Sequence, residues 1–329
     1  MPDSDFAGAE ILITGGLGFI GSSLARRLVE AGARVTIVDS LIPEYGGNLF
    51  NVADFEDRVR INIADVRDSH AMAYLIAGKH FLFNLAGQTS HRDSMIDPFT
   101  DLDINATSQL AILEACRKHN REVRVVFAST RQIYGKPEYL PVDEKHPIHP
   151  VDVNGINKLA GELYHLLYNN VYGVRSCALR LTNTYGPGMR VRDARQTFLG
   201  IWIRNLLEGI PIHVFGDGRQ LRDFTYVDDA VNAFLLAARD PRAAGEVFNL
   251  GGLERVDLGS LASRLVSLDA NGRCELVPFP PDREVIDIGD YYADFSKAHA
   301  VLGWSPQVPL AEGLARSVEF YRRHREQYW

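Results

Sequence analysis

Along the first half of the chain the apolar positions switch repeatedly between two periods, and each switch marks an element. Residues 10–13 form a short apolar run typical of a buried strand, and Phe19–Glu30 then carries Leu24, Leu28 and Val29 at helical spacing. A second apolar strand follows at 34–38, then a polar, glycine-bearing loop over 40–58, then a strand at Val59–Ile63. Further on the pattern predicts helix over 72–77, strand over 80–84, a long helix over 100–118, strand over 123–128, helix over 155–168 and strand over 175–180. Strands that alternate with helices predict an α/β protein with a doubly wound parallel sheet. Ligands of such sheets bind at the carboxyl ends of the strands. Past about residue 181 the alternation loosens, prolines and glycines become frequent, and helices are predicted near 197–207, 228–238, 258–268 and Leu310–Arg323.

Between the first strand and the first helix stands Thr14-Gly-Gly-Leu-Gly-Phe-Ile-Gly21. It fits both G-x-G-x-x-G and T-G-x-x-G-x-x-G. Glycine suits such a turn because the backbone reverses sharply, a pyrophosphate must reach the main chain without meeting a Cβ, and the helix must pack closely on its strand. The helix N-terminus then offers unpaired N–H groups to the phosphates. The second strand ends in Asp39, about 18 residues past Gly21, near the spacing of a carboxylate that holds the adenosine ribose. An acid at that place repels a 2′-phosphate, so NAD is expected rather than NADP. The expectation is therefore a Rossmann-type NAD-binding domain over 1–181, with part of 223–252 returning to it. A smaller mixed α/β lobe over 182–329 would mainly hold substrate.

Bulk properties exclude some classes. The net charge of −7 argues against a general nucleic-acid or anionic-membrane surface. No apolar run reaches membrane-spanning length, and MPDSDFAGAE lacks the basic flank and apolar core of a signal peptide. Cys116, Cys177 and Cys274 are widely spaced, which suits reduced thiols and gives no metal motif. A cytoplasmic protein without a metal is expected.

The chain resembles the extended short-chain dehydrogenase/reductase superfamily, specifically the NAD-dependent nucleotide-sugar epimerases and dehydratases. The resemblance rests on TGGLGFIG at 14–21, Asp65-Val-Arg-Asp68, Asn84-Leu-Ala-Gly87, Asn105 in a helix and Ser129-Thr-Arg-Gln-Ile-Tyr-Gly135. Further matches are Pro141-Val-Asp-Glu144, Asn157-Lys-Leu-Ala-Gly-Glu162, Arg180-Leu-Thr-Asn-Thr-Tyr-Gly-Pro-Gly188, Phe215-Gly-Asp-Gly218 and Arg222-Asp-Phe-Thr-Tyr-Val-Asp-Asp229. Tyr292-Ala-Asp-Phe-Ser-Lys297 and Leu302-Gly-Trp304 close the series. The resemblance implies that Gly15, Gly18, Phe19, Ile20, Gly21, Asp39, Ser40, Asp65, Val66, Leu85, Ala86, Gly87, Lys158 and Leu181 surround NAD. Thr130 would bond the sugar oxygen that is oxidised, and Lys158 would hold the nicotinamide ribose. A homodimer through the helices at 100–118 and 155–168 is also implied.

One departure matters. The family pattern is Tyr-x-x-x-Lys, yet four residues before Lys158 stands Asn154, whose amide cannot titrate. A replacement acid/base is then expected. Thr130 acting through water is one candidate, and His91, on the loop after the fourth strand, is another, since an imidazole titrates near neutrality. The family's dehydratases carry Asp-Glu where Arg131 and Gln132 stand, and its decarboxylases carry glutamate at 132. The neutral Gln132 therefore favours a 4-epimerase acting on a nucleotide diphosphate hexose or uronate. A decarboxylase or dehydratase with relocated groups, and a silent NAD or nucleotide-sugar binder, are the alternatives. Asn183, Arg192, Arg222 and Arg283 are expected to meet the substrate, and Arg131 could face an acidic sugar. Arginine suits such anions through its fork of donors.

Overall fold

A computed structural model describes residues 5–45 and 47–329. Strands β1 (Glu10–Thr14), β2 (Arg34–Asp39), β3 (Val59–Ile63), β4 (Phe81–Asn84), β5 (Arg124–Thr130) and β6 (Ser176–Leu181) lie side by side in the order β3-β2-β1-β4-β5-β6. Every pairing is parallel. Three short strands, β7 (Asn183–Tyr185), β8 (Ile212–Phe215) and β9 (Leu221–Tyr226), leave this sheet, and β10 (Val247–Asn249) returns to its edge beside β6. β11 (Arg255–Asp257) joins β9 and β7 in a small mixed sheet, and β12 (Cys274–Val277) pairs with β8. The Rossmann-type α/β expectation holds.

The inner strands β1, β2, β4, β5 and β6 are buried on both sides, as parallel strands covered by helices must be, while β3 at the edge stays partly open to solvent. Ile11 and Ile13 enter one core with α1 (Phe19–Glu30), while Leu12 enters the other with α2 (Ser69–Ile76). Strand alternation thus divides one run between two faces. The second face is completed by α5 (Ser108–His119) and α6 (Val153–Tyr172), which follow α3 (His91–Ile96) and α4 (Pro98–Leu102). On the first face α1 is joined by α8 (Val227–Arg239), while α7 (Phe198–Glu208) packs against β8 away from the large sheet.

Two local outcomes differ from the periodicity. The helix expected over 100–118 is α4, a π-helical turn at Asp103–Thr107 and α5. The interruption centres on Asn105, whose side-chain amide donates to Gln88 O at 2.9 Å and Asp101 Oδ2 at 3.0 Å, outside the helical ladder. The loop after β4 also winds into α3, with His91 as its first residue and Ser90 as its cap. Helix α6 begins at the cap residue Asp152, whose carboxylate accepts from Gly155 N, and ends at Gly173 in the left-handed region.

A buried ion pair ties these elements to the strand ends. Arg180 on β6 is paired with Glu162 on α6, both almost fully buried, and Ser129 on β5 donates to Glu162 Oε2 at 2.6 Å. Arg180 also donates to the Tyr134 hydroxyl. Removing one partner of such a pair costs about 3–5 kcal/mol, because it strands a buried charge. The network therefore fixes α6 against β5, and with it Lys158 against Thr130. Among the described residues no helix is long and apolar enough to cross a membrane.

Candidate active site

The carboxyl ends of the strands open into a cleft of about 710 Å³ between the large sheet and the 182–329 segment. At its floor the glycine turn leads into α1. Gly15 adopts φ +68°, and a Cβ there would stand 2.9 Å from Ala86 N, while one on Gly21 would stand 2.2 Å from Gly15 O. No side chain caps α1, so its first-turn N–H groups stay open toward the cleft. Asp39, at the end of β2, accepts from Leu17 N at 3.1 Å and Leu41 N at 2.9 Å, and its burial raises the carboxyl against those backbone bonds. Asp65, past the end of β3, is bonded to Arg67, which holds its carboxyl below the usual range. All the residues expected around the dinucleotide line this cleft.

Lys158 reaches the same space from α6. Its Nζ donates to Ala128 O at 3.3 Å and lies 5.2 Å from the centre of the Phe127 ring. Burial lowers the ammonium to about 8, against the opposing charge of Asp101. A Cβ on Gly87 would stand 2.7 Å from this Nζ and 3.0 Å from Asn105 Oδ1, so only glycine leaves the ammonium its place. Asn105 Oδ1 is buried without a hydrogen-bond partner. An open acceptor beside a cation is what a hydroxyl-bearing ribose requires. Thr130, at the end of β5, accepts from Gln132 N at 3.2 Å and keeps partial exposure to the cleft.

Asn154 sits one helical turn before Lys158, 2% exposed. Its amide donates to Gln88 O at 2.8 Å and Asp101 Oδ2 at 3.0 Å. Asp101, fully buried, gathers the amides of Asn105, Asn154 and Asn157. Asn154 thus serves as a donor in a buried polar network, with no proton to exchange near neutrality.

A titratable pair stands nearby. His91 Nδ1 lies 3.0 Å from Asp152 Oδ2, though not aligned as a hydrogen bond. Asp152 also accepts from Gln132 Nε2 at 2.7 Å. Burial pushes the Asp152 carboxyl up, but His91, Gly155 N–H and Gln132 together outweigh it and hold it below its ordinary value. Both His91 and Gln132 line the cleft, so Gln132 stands between substrate space and a buried carboxylate.

Of the residues expected at substrate, Asn183, Arg222 and Arg283 line the cleft, with the Arg283 guanidinium 5.3 Å from the Phe215 ring centre. Arg192 is exposed and lies outside the lining. The surrounding basic cluster is neutralised locally: Arg190 pairs with Asp193, Arg195 with Asp93 and Asp193, and Arg204 with Glu208. Sequence reasoning missed Asp101 and Asp152. Asp152 carried a signal, an acid three residues before Gly155 at a helix start. Asp101 carried none, because two of its three partners, Asn154 and Asn157, come from a distant segment.

Among the described residues no group of acids, histidines or cysteines is placed to hold a metal. Residues 11–251 match the model of the NAD dependent epimerase/dehydratase family. The chain is 34% identical to the UDP-glucose 4-epimerase of Mycolicibacterium smegmatis, over 94% of this chain and 98% of that one. It is 31% identical to a dTDP-glucose 4,6-dehydratase of Streptomyces niveus, over 96% and 93%. The solved UDP-glucose 4-epimerase of Thermotoga maritima with UDP-glucose superposes with a TM-score of 0.88 at 32% identity, covering 96% of this chain and 99% of that one. A cleft built for a dinucleotide and a match across most of the length lead to one assignment: the chain belongs to the NAD-dependent epimerase/dehydratase family.

Proposed function

We propose that this protein is an NAD-dependent nucleotide-sugar 4-epimerase, acting on a nucleotide diphosphate hexose or uronate through a transient 4-keto sugar. The observation that carries the reading is at 131–132. Elimination of water or carbon dioxide calls for an acid/base group at the sugar beyond the one that serves the 4-hydroxyl. Here 131 and 132 carry no carboxylate, and Asp152, behind Gln132, is engaged by Gly155 N, Gln132 and His91. Epimerisation needs only one proton removed from the 4-hydroxyl and the same proton returned.

The glycine turn and the open N-terminus of α1 would hold the pyrophosphate of NAD, Asp39 the adenosine ribose, and Lys158 with Asn105 the second ribose. Bound there, NAD supplies the hydride acceptor and donor. Thr130 would orient the sugar hydroxyl, Lys158 would stabilise negative charge on its oxygen, and His91 would take and return its proton, with Asn154 as a non-titrating donor. Residues 1–181 with the returning β10 are taken as the cofactor half, and 182–329 mainly as the substrate lobe. The three cysteines are free thiols, which suits a reducing cytoplasm.

Incubating purified protein and NAD with UDP- and dTDP-linked hexoses and uronates, followed by chromatography and mass spectrometry, tests the reading. An isomer of unchanged mass is expected. Loss of water or of carbon dioxide would replace the epimerase with a dehydratase or decarboxylase.

A homodimer belongs to the same proposal. Ile156, Leu163, Leu167 and Val171 lie along one side of α6 and are each about half exposed, with Phe99 and Leu102 exposed on α4. An apolar stripe of this kind is a candidate for burial against a second copy. Light scattering should find a dimer, and Leu163→Glu with Leu167→Glu should give a monomer of unchanged thermal stability. A monomeric wild type would end this part of the proposal.

A further inference from the structure

Arg131 is the residue directly after Thr130, and its surroundings leave its charge only partly answered. Nη2 donates to Asn183 Oδ1 at 2.9 Å, while Nη1 has no acceptor and is shut off from water. The guanidinium lies 5.2 Å from the centre of the Tyr291 ring. A buried donor without a partner costs about 1–3 kcal/mol, and more when charged. Sequence alone left a plain surface arginine open at this position, but the residue stands in the wall of the cleft.

A second cation stands behind it. Arg222 is 5% exposed, and its Nη1 donates to the carbonyls of Leu221 and Gly289. Its Nη2 is 3.7 Å from Asp287 Oδ2, longer than a hydrogen bond. Burial, and then the neighbouring charge of Arg131, lower the Arg222 guanidinium to about 10. Asp223 does not bond either arginine: its oxygens take Thr182 Oγ1, Gly252 N and Ala293 N.

We propose that Arg131, with Arg222 behind it, receives an oxyanion of the bound nucleotide sugar, either a carboxylate on the sugar or a phosphoryl group of the diphosphate. The inference rests on the nucleotide-sugar reading above. Asp223 and Asp287 act on both guanidinium groups through their charge, without a hydrogen bond to Arg131. A sugar hydroxyl would satisfy the open N–H, but a bound anion both satisfies it and adds to the offset of the repulsion between the two buried cations. A forked donor is the side chain suited to such an oxyanion. Arg131 keeps part of its surface open to the cleft, so the anion reaches it from that side, and turning toward it gives up the single bond to Asn183.

Calorimetric binding to the NAD-loaded protein separates the sources, using UDP, UDP-glucose and UDP-glucuronate with dTDP and dTDP-glucose in parallel. Arg131→Gln is expected to weaken binding by about 10- to 100-fold, the range of a lost charged hydrogen bond. Weakening confined to UDP-glucuronate identifies the sugar carboxylate, and equal weakening across the panel identifies the diphosphate. Arg131→Lys keeps the charge without the fork and should lose several-fold, which serves if the glutamine variant melts early. A residue serving only the fold would lower the melting temperature of ligand-free protein without this affinity loss. Unchanged affinities in both variants overturn the receptor alone. A wild type that binds none of the panel overturns the nucleotide-sugar reading and the receptor together.

Discussion

Lys158→Ala is expected to reduce kcat by about 10²–10³-fold, the usual cost of deleting one preorganised donor to a developing oxyanion. The lysine is well placed for that role: almost fully buried, held by Ala128 O, and facing the gap that Gly87 leaves open. Its burial carries a second consequence. The ammonium titrates at about 8, well under the ordinary lysine value, because the charged form is desolvated. Turnover that depends on the positive charge is complete below that value and falls as pH rises through it. A steady-state kcat–pH profile should therefore turn down near pH 8 on its alkaline side. Lys158→Arg, whose guanidinium stays charged, should lack that limb while losing part of the rate. A wild-type profile flat to pH 10 would mean that the charge is not used.

His91→Asn is expected to lower turnover by about 10²–10⁴-fold, the range for a positioned general acid/base. The argument joins the two observations at 154 and 152. Asn154 cannot exchange a proton, and His91 is the titratable cleft residue held 3.0 Å from a buried carboxylate. Asp152→Asn removes the carboxylate that faces the imidazole and should also lower turnover, while asparagine still caps α6, so the helix start survives. Full activity in both His91→Asn and Asp152→Asn would sink the assignment and leave water relayed through Thr130 as the alternative.

The cofactor half was legible because its determinants are local. A glycine that must avoid Gly15 O, a strand buried on both faces and an acid at the end of β2 leave their marks within a few residues of one another. The bounds of α1 and β3 came out as the periodicity gave them. The helix at 100–118 did not, because its break depends on what Asn105 bonds across the fold, and Gln88 lies on another segment. The same holds for charge. Arg190, Arg192, Arg195 and Arg204 stand close together along the chain, but folding paired three of them with acids and left Arg192, expected at the substrate, outside the cleft.

The amino-acid sequence by itself determined the alternating sheet, the dinucleotide turn and the absence of a titrating residue at 154. Tertiary structure alone decided that Asn154 is bound to Asp101, that His91 meets Asp152, and that Arg131 is enclosed beside Arg222. Periodicity records which face of an element is buried. It carries no record of which polar group from a distant segment will stand opposite once water is excluded, and that is where the charge and proton chemistry of this site is set.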